Sequence, residues 1–180
     1  MTRNEEFRIL LRGVDAALDR FYAEQAELFA LGACEMCLVG HFYRFFHEAV
    51  TDAFAGDPEL SIDIEYDRQG KDRQCKGLYV DNEYGKIRPD MVVHRRGNSS
   101  RNVCLFEFKR SDRKERAAWD IGKIKAATAT GRFNYHFGCF IELAPTHEAC
   151  NVTWFPGERA LPRKSPSGIS GSTVERPKAF

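Results

Sequence analysis

Residues 87–112 read IRPDMVVHRRGNSSRNVCLFEFKRSD, and the fold turns on how this stretch is parsed. Two apolar runs, one led by Pro89-Asp90 and one ending in Glu107-Phe108-Lys109, flank the turn-forming residues Gly97, Asn98, Ser99 and Ser100. The pattern predicts two antiparallel strands. Side chains alternate faces along a strand, so Cys104, Phe106 and Phe108 point one way. Glu107 and Lys109 point the other way, with Val103 and Leu105. Apolar residues on both faces mark a central strand covered on both sides. In the first run Asp90 shares a face with Val92 and His94, while Met91 and Val93 take the opposite one. Pairing the two strands therefore brings Asp90 and Glu107 together on one face. The charges fall at the C-terminal end of the second strand, where open α/β sheets place their sites.

Working outward, residues 5–29 carry Phe7, Leu11, Val14, Leu18, Phe21 and Leu28 at helical spacing. A second amphipathic helix is expected over 34–54, with Leu38, Phe42, Phe45, Phe46, Ala49 and Val50 as its apolar face and Asp57-Pro58 beyond its end. LSIDIEY, residues 60–66, alternates as a half-buried strand, and the polar residues 67–77 read as a loop. A helix is expected over 113–129, stopped by Gly131. HFGCFIEL and CNVTWF follow as strands. The order helix, three strands, helix, strand predicts an α/β domain with a mixed central sheet flanked by helices and an extra N-terminal helix. One domain is expected over 1–155, with residues 156–180, rich in Pro, Gly and Ser, as a flexible tail.

With 180 residues the chain can bury a core without disulfides. Its 43% hydrophobic and 29% charged residues are those of an ordinary soluble protein and favour no fibrous, disordered or membrane class. The N-terminus has acids where an export signal needs basic and then apolar residues, which predicts a cytoplasmic protein with reduced cysteines. A net charge of +1 rules out a strongly basic nucleic-acid binder, so any phosphate contact must come from local groups. Arg95, Arg96, Arg110 and Arg113 are the candidates.

Two carboxylates held together in a partly dry site repel each other and lose hydration. A bound Mg²⁺ or Mn²⁺ offsets both costs, since hard cations prefer oxygen ligands and keep several waters. A lysine two residues on can then reach a scissile phosphate or the attacking water.

Asp90 after Pro89, followed by Glu107-x-Lys109, resembles the PD-(D/E)xK signature of the restriction-endonuclease-like phosphodiesterase superfamily, whose core order is αβββαβ. The wider run DIEYDRQG, GLYV, IRPDMVVHRRG, NVCLFEFKRSD, WDIGKIK and FNYHFGCFIEL is similar to small nuclease-like proteins of prokaryotes and phages, over roughly residues 33–143. The resemblance implies a Mg²⁺-dependent endonuclease acting on DNA in preference to RNA. It implies that Asp90, Glu107 and the backbone carbonyl of Phe108 bind the metal, and that Lys109 orients or deprotonates the attacking water. Glu35 would add a helix-borne acid, since it shares a stripe with Val39, Phe42 and Phe46. Asp120 and Lys123 resemble a recurring D-x-x-K that supports the site.

Plainer readings stand beside these. Asp90 suits a turn after proline, Glu107 and Lys109 an edge-strand pair, and Asp120 with Lys123 a helical charge pair. His94 serves as well at a loop edge as at a substrate. Cys34-Glu35-Met36-Cys37 invites a zinc or redox reading, but no second pair with ligand spacing follows and the pair opens a helix, so core cysteines are expected. A catalytically silent nucleic-acid-binding or regulatory module on the same fold is the alternative function, and a coincidental motif a third. No base-reading module is appended, which points to structure-selective action or a protein partner. Duplex cleavage would require a homodimer.

Overall fold

The computed structural model describes residues 1–69, 74–80, 83–97, 101–113, 115–129, 131 and 133–157. The expected turn at residues 98–100, Lys114 and the tail from 158 onward lie outside the described residues. In chain order the elements are helices α1 (Arg3–Gln25), α2 (Glu27–Ala30) and α3 (Glu35–Phe54), then strands β1 (Leu60–Ile64), β2 (Arg68–Gln69), β3 (Gln74–Cys75), β4 (Gly77–Val80), β5 (Glu83–Lys86), β6 (Met91–Arg95) and β7 (Asn102–Arg110). Helix α4 (Ala117–Thr128), β8 (Phe137–Leu143), a 3₁₀ turn at His147–Ala149 and β9 (Asn151–Pro156) complete the order.

A five-stranded mixed sheet runs β1-β6-β7-β8-β9. All its neighbours are antiparallel except β7 and β8, whose parallel pairing is made by the α4 crossover. The fold class is thus α/β, as the alternation predicts. Helices α1 and α3 cover one face, where Phe42 and Phe46 meet Phe108 and Phe106 at ring distances of 5.0 Å and 5.3 Å. Each such ring buried contributes about 1.5–3 kcal/mol. Helix α4 covers the other face, packing Ile124 and Ala127 over Val92, Leu105 and Phe140. Among the described residues no helix is long and apolar enough to cross a membrane.

Helix α1 starts where Thr2 and Glu5 make a reciprocal capping box. The expected helix over 5–29 breaks at Ala26 into α1 and α2. Ala49, expected on the apolar face of α3, is exposed. The stretch read as a loop over 67–77 contains the β2–β3 ladder and the start of the β4–β5 hairpin. These short ladders are set by backbone pairing, and two-residue strands leave no periodic trace. Helix α4 begins at Ala117 rather than 113, because Arg113 closes a turn onto the Arg110 carbonyl and Arg116 takes a left-handed φ of 70° that cannot continue a helix.

The β6–β7 register corrects one face assignment. Val93 pairs with Cys104 but His94 with Asn102, so Val103 is an extra residue in β7. It joins Cys104, Phe106 and Phe108 in the core beneath α1 and α3, not Leu105 on the opposite face. At the far end, Pro156 closes β9 and the Gly157 N–H donates to the His136 carbonyl, so order extends past the expected start of the tail.

Gly138 on β8 lies directly under α4, where a Cβ would overlap the Cγ2 of Ile124. Gly138→Ala is expected to destabilise the protein by about 1–3 kcal/mol, the usual cost of overpacking a filled core. Urea denaturation measures it, and a neutral result would mean α4 can lift off the sheet.

Candidate active site

Strand β6 begins at Met91, paired with Phe106, and β7 continues four residues past that pair. Extending that register sets Asp90 opposite Glu107. The Phe108 N–H has no β6 partner there, and the Asp90 carboxylate accepts it at 2.7 Å. The Asp90 carbonyl takes the Glu65 N–H, which fixes the other side of the turn.

Helix α3 brings its first residue, Glu35, to the same end of β7. A helix N-terminus favours an acid, and here the acid does more than cap. One Glu35 oxygen lies 3.1 Å from Lys109 Nζ and the other accepts the Arg110 N–H at 2.9 Å. From the opposite face α4 contributes Asp120 and Lys123, one turn apart. Asp120 lies 3.1 Å from Lys109 Nζ and 2.9 Å from Lys123 Nζ, and Lys123 reaches Glu107 at 2.7 Å. The result is a continuous chain, Glu35–Lys109–Asp120–Lys123–Glu107, with Asp90 beside Glu107. The structure brings together all six of the expected catalytic, metal-binding and supporting side chains.

The electrostatics of this cluster are unbalanced. Four carboxylates face two ammonium groups, leaving two formal negative charges when all are ionised. Glu107 is 1% exposed, and its Oε1 has no hydrogen-bond partner among the described residues. Burial, and then the nearby Asp90 charge, push its pKa well above the ordinary carboxylate value despite Lys123. Burial likewise raises Asp90 to about 6, with the Phe108 N–H and Lys123 opposing and Glu35 and Asp120 reinforcing. Burial works against the charge on Lys109 and Lys123, but their carboxylate partners outweigh it and raise both.

A divalent cation fits this arrangement in part. An orphaned buried carboxylate oxygen next to a second penalised carboxylate is a place where positive charge is missing. Among the described residues no group of three or more His, Cys, Asp or Glu converges as a metal cage. Mg²⁺ needs no such cage, since it is commonly held by one or two carboxylates and retains waters.

The remaining candidates are placed elsewhere. Arg110 points to the face opposite Lys109, 5% exposed, and is held by Asp112 at 2.8 Å and 2.9 Å and by the Ala33 carbonyl. It braces the β7 end to the loop before α3 and does not reach the site. Arg95 and Arg96 sit at the far end of β6, roughly 17 Å from Asp90 by strand rise. There they pair with Asp57, Glu59 and Asp63. Arg113 is exposed on the loop leaving β7.

His94 is buried and bonded through Nε2 to Asp63 at 2.9 Å, with Tyr66 packed edge-on, so it faces no open substrate space. This Asp63–His94–Arg96 group was not foreseen. Its signal was the alternation in LSIDIEY, which puts Asp63 opposite Val92 and within diagonal reach of His94. Cys34, expected in the core, is exposed, and Cys37 is half-buried. Comparison with family models, with curated proteins and with solved structures finds no match to this chain.

Proposed function

We propose that the chain is a metal-dependent phosphodiesterase of the PD-(D/E)xK, restriction-endonuclease-like kind, hydrolysing nucleic acid with DNA as the preferred substrate. The observation that carries this reading is the buried Glu107 carboxylate, half-unpartnered and set against Asp90. The order α3, β1, β6, β7, α4, β8 supports it, because it reproduces the helix–three strands–helix–strand sequence that the resemblance implies.

Asp90 and Glu107 would hold Mg²⁺ or Mn²⁺, with the Phe108 carbonyl as a third oxygen donor. Bound there, the cation supplies positive charge against phosphate oxygens and acidifies water. Lys109, with its raised pKa, remains an ammonium at neutral pH. It therefore serves as preorganised positive charge for the phosphate in the transition state, and not as a base. Glu35 and Asp120 hold that ammonium in place from two sides, and Lys123 performs the same service for Glu107. Arg113 is the remaining arginine placed to meet a backbone phosphate, being exposed beside the end of β7.

The test is cleavage of plasmid, single-stranded DNA and RNA with Mg²⁺ or Mn²⁺, against an EDTA control. Lys109→Ala is expected to lose about 10²–10³ in rate, the usual cost of removing one charge-stabilising donor. Equal cutting by the variant would sink the site assignment. Absence of cutting by both, on every substrate, would favour the silent binding module instead.

A further inference from the structure

We propose that Cys34 and Cys37 form a thiol–disulfide redox site at the first turn of α3, oxidised by exchange with a small disulfide such as oxidised glutathione. Cys34 is the N-cap of α3 and Cys37 its third residue, and both are free thiols. Cys34 makes no side-chain capping bond, so its thiol is not committed to the N–H groups of the first turn. Helix rise and radius put two such Cα atoms about 5 Å apart, inside the span of roughly 4.4–6.8 Å that a disulfide bridges. Cys34 is exposed and Cys37 half-buried, so a small oxidant reaches the first and the second is held in reserve beside it.

The helix N-terminus carries partial positive charge. Cys34 is open to solvent, and the Arg110 guanidinium donates to the carbonyl of Ala33 just before it. Cys104 and Cys139 provide the contrast: both are fully buried, and desolvation pushes their thiols up. They are inert packing residues.

The chemistry balances as two exchanges. The Cys34 thiolate attacks one sulfur of the glutathione disulfide, forming a mixed disulfide and releasing one glutathione thiolate. Cys37 then gives up its proton, and its sulfur attacks the Cys34 sulfur and expels the second glutathione. Two protein thiols are oxidised and one disulfide is reduced to two thiols.

Glu35 lies between the two cysteines, and its carboxylate accepts the Arg110 N–H. A bridge across this residue changes the first turn and with it the grip of Glu35 on β7. The redox site does not depend on the phosphodiesterase reading, and its test does not use that activity.

The full chain is incubated with reduced and oxidised glutathione mixtures, and disulfides are mapped by peptide mass spectrometry. The expected product is a Cys34–Cys37 bridge, two hydrogens lighter, with Cys104 and Cys139 still reduced. In Cys37→Ser the mixed disulfide on Cys34 should accumulate, because nothing resolves it. Persistent thiols at both positions, or a glutathione adduct that never resolves in the wild type, would overturn the proposal. Hydrogen exchange supplies the second readout, with the Arg110 amide expected to exchange roughly tenfold faster after oxidation, the worth of one net hydrogen bond. An unchanged amide would remove the coupling to Glu35.

Discussion

In the absence of divalent metal, at about pH 7.5, Asp90→Asn is expected to be more stable than the wild type by up to about 3 kcal/mol. The Asp90 carboxyl titrates at about 6 against an ordinary 3.8. A displacement of that size corresponds to about 3 kcal/mol. The sign follows from which state holds the proton. A carboxyl whose folded pKa lies above its unfolded value keeps its proton longer when folded, so it costs nothing below about pH 4. The cost grows between about pH 4 and 6 and is complete above that. Wild-type stability should therefore fall across this window, and the Asn variant should lack this component. Asn retains a side-chain oxygen for the Phe108 N–H, so the turn survives.

Mg²⁺ should reverse the order. On the proposed metal role, the wild type is expected to gain stability from a cation held by Asp90 and Glu107, and the variant to gain little, having lost one of the two carboxylates. Urea denaturation at about pH 4, 5, 6 and 7.5, with and without Mg²⁺, gives all four arms. A metal-free Asn variant less stable than the wild type at about pH 7.5 would mean that Asp90 is not held at an energetic cost. The opposed signs distinguish a site organised to take a cation from an ordinary buried ion pair, which would weaken in both conditions.

Arg101→Ala should cost about 3–5 kcal/mol, the penalty for leaving a buried charge without its partner. Glu6, on the buried side of α1, is 1% exposed. It is bound by the Arg101 guanidinium and, at 2.8 Å, by His136 Nδ1. Burial opposes its charge, yet the bonds from His136 and Arg101 outweigh that and lower its pKa. Arg101 also holds Asp57 at 3.0 Å, beyond the end of α3. One guanidinium thus fastens both long helices to the sheet, at the end away from the candidate site. Its contribution to Glu6 is present above the ordinary carboxylate range and is lost as acid reaches the lowered value. Arg101→Lys should recover part of the loss, since a lysine supplies the charge but not the fork. Adding Glu6→Gln to Arg101→Ala should recover more. A loss under about 1 kcal/mol for Arg101→Ala would show that His136 alone suffices.

The two helices and the sheet strands were legible because each repeats its apolar residues at the period of its own geometry. Phe42, Phe45 and Phe46 could only be one face of a helix, and Phe106 and Phe108 one face of a strand. Asp90, Glu107 and Lys109 were legible for a related reason: charge at the end of an otherwise apolar central strand has no place unless something answers it. The short ladders over residues 68–86 left no such trace. Nor did the bulge at Val103, which shifts one residue to the other face without altering composition. The status of Cys34 was misread because an N-cap sits at the solvent edge of a helix whose following turns are buried.

By itself the sequence determined the alternation of helices and strands and which faces must be buried, because those follow from local periodicity. Only the tertiary structure decided which charges meet. Glu35 lies 74 residues from Lys109, and Lys123 lies 16 residues from Glu107. Their junction depends on where α3 and α4 dock on the two faces of β7. Arg110 faces away from the site because side chains alternate along β7, and the chain entering and forming β1 gives Arg95, Arg96 and His94 to acids at the other end of the sheet. An ion pair carries no periodicity in the chain, and its partners are chosen by the packing of surfaces that the apolar residues define.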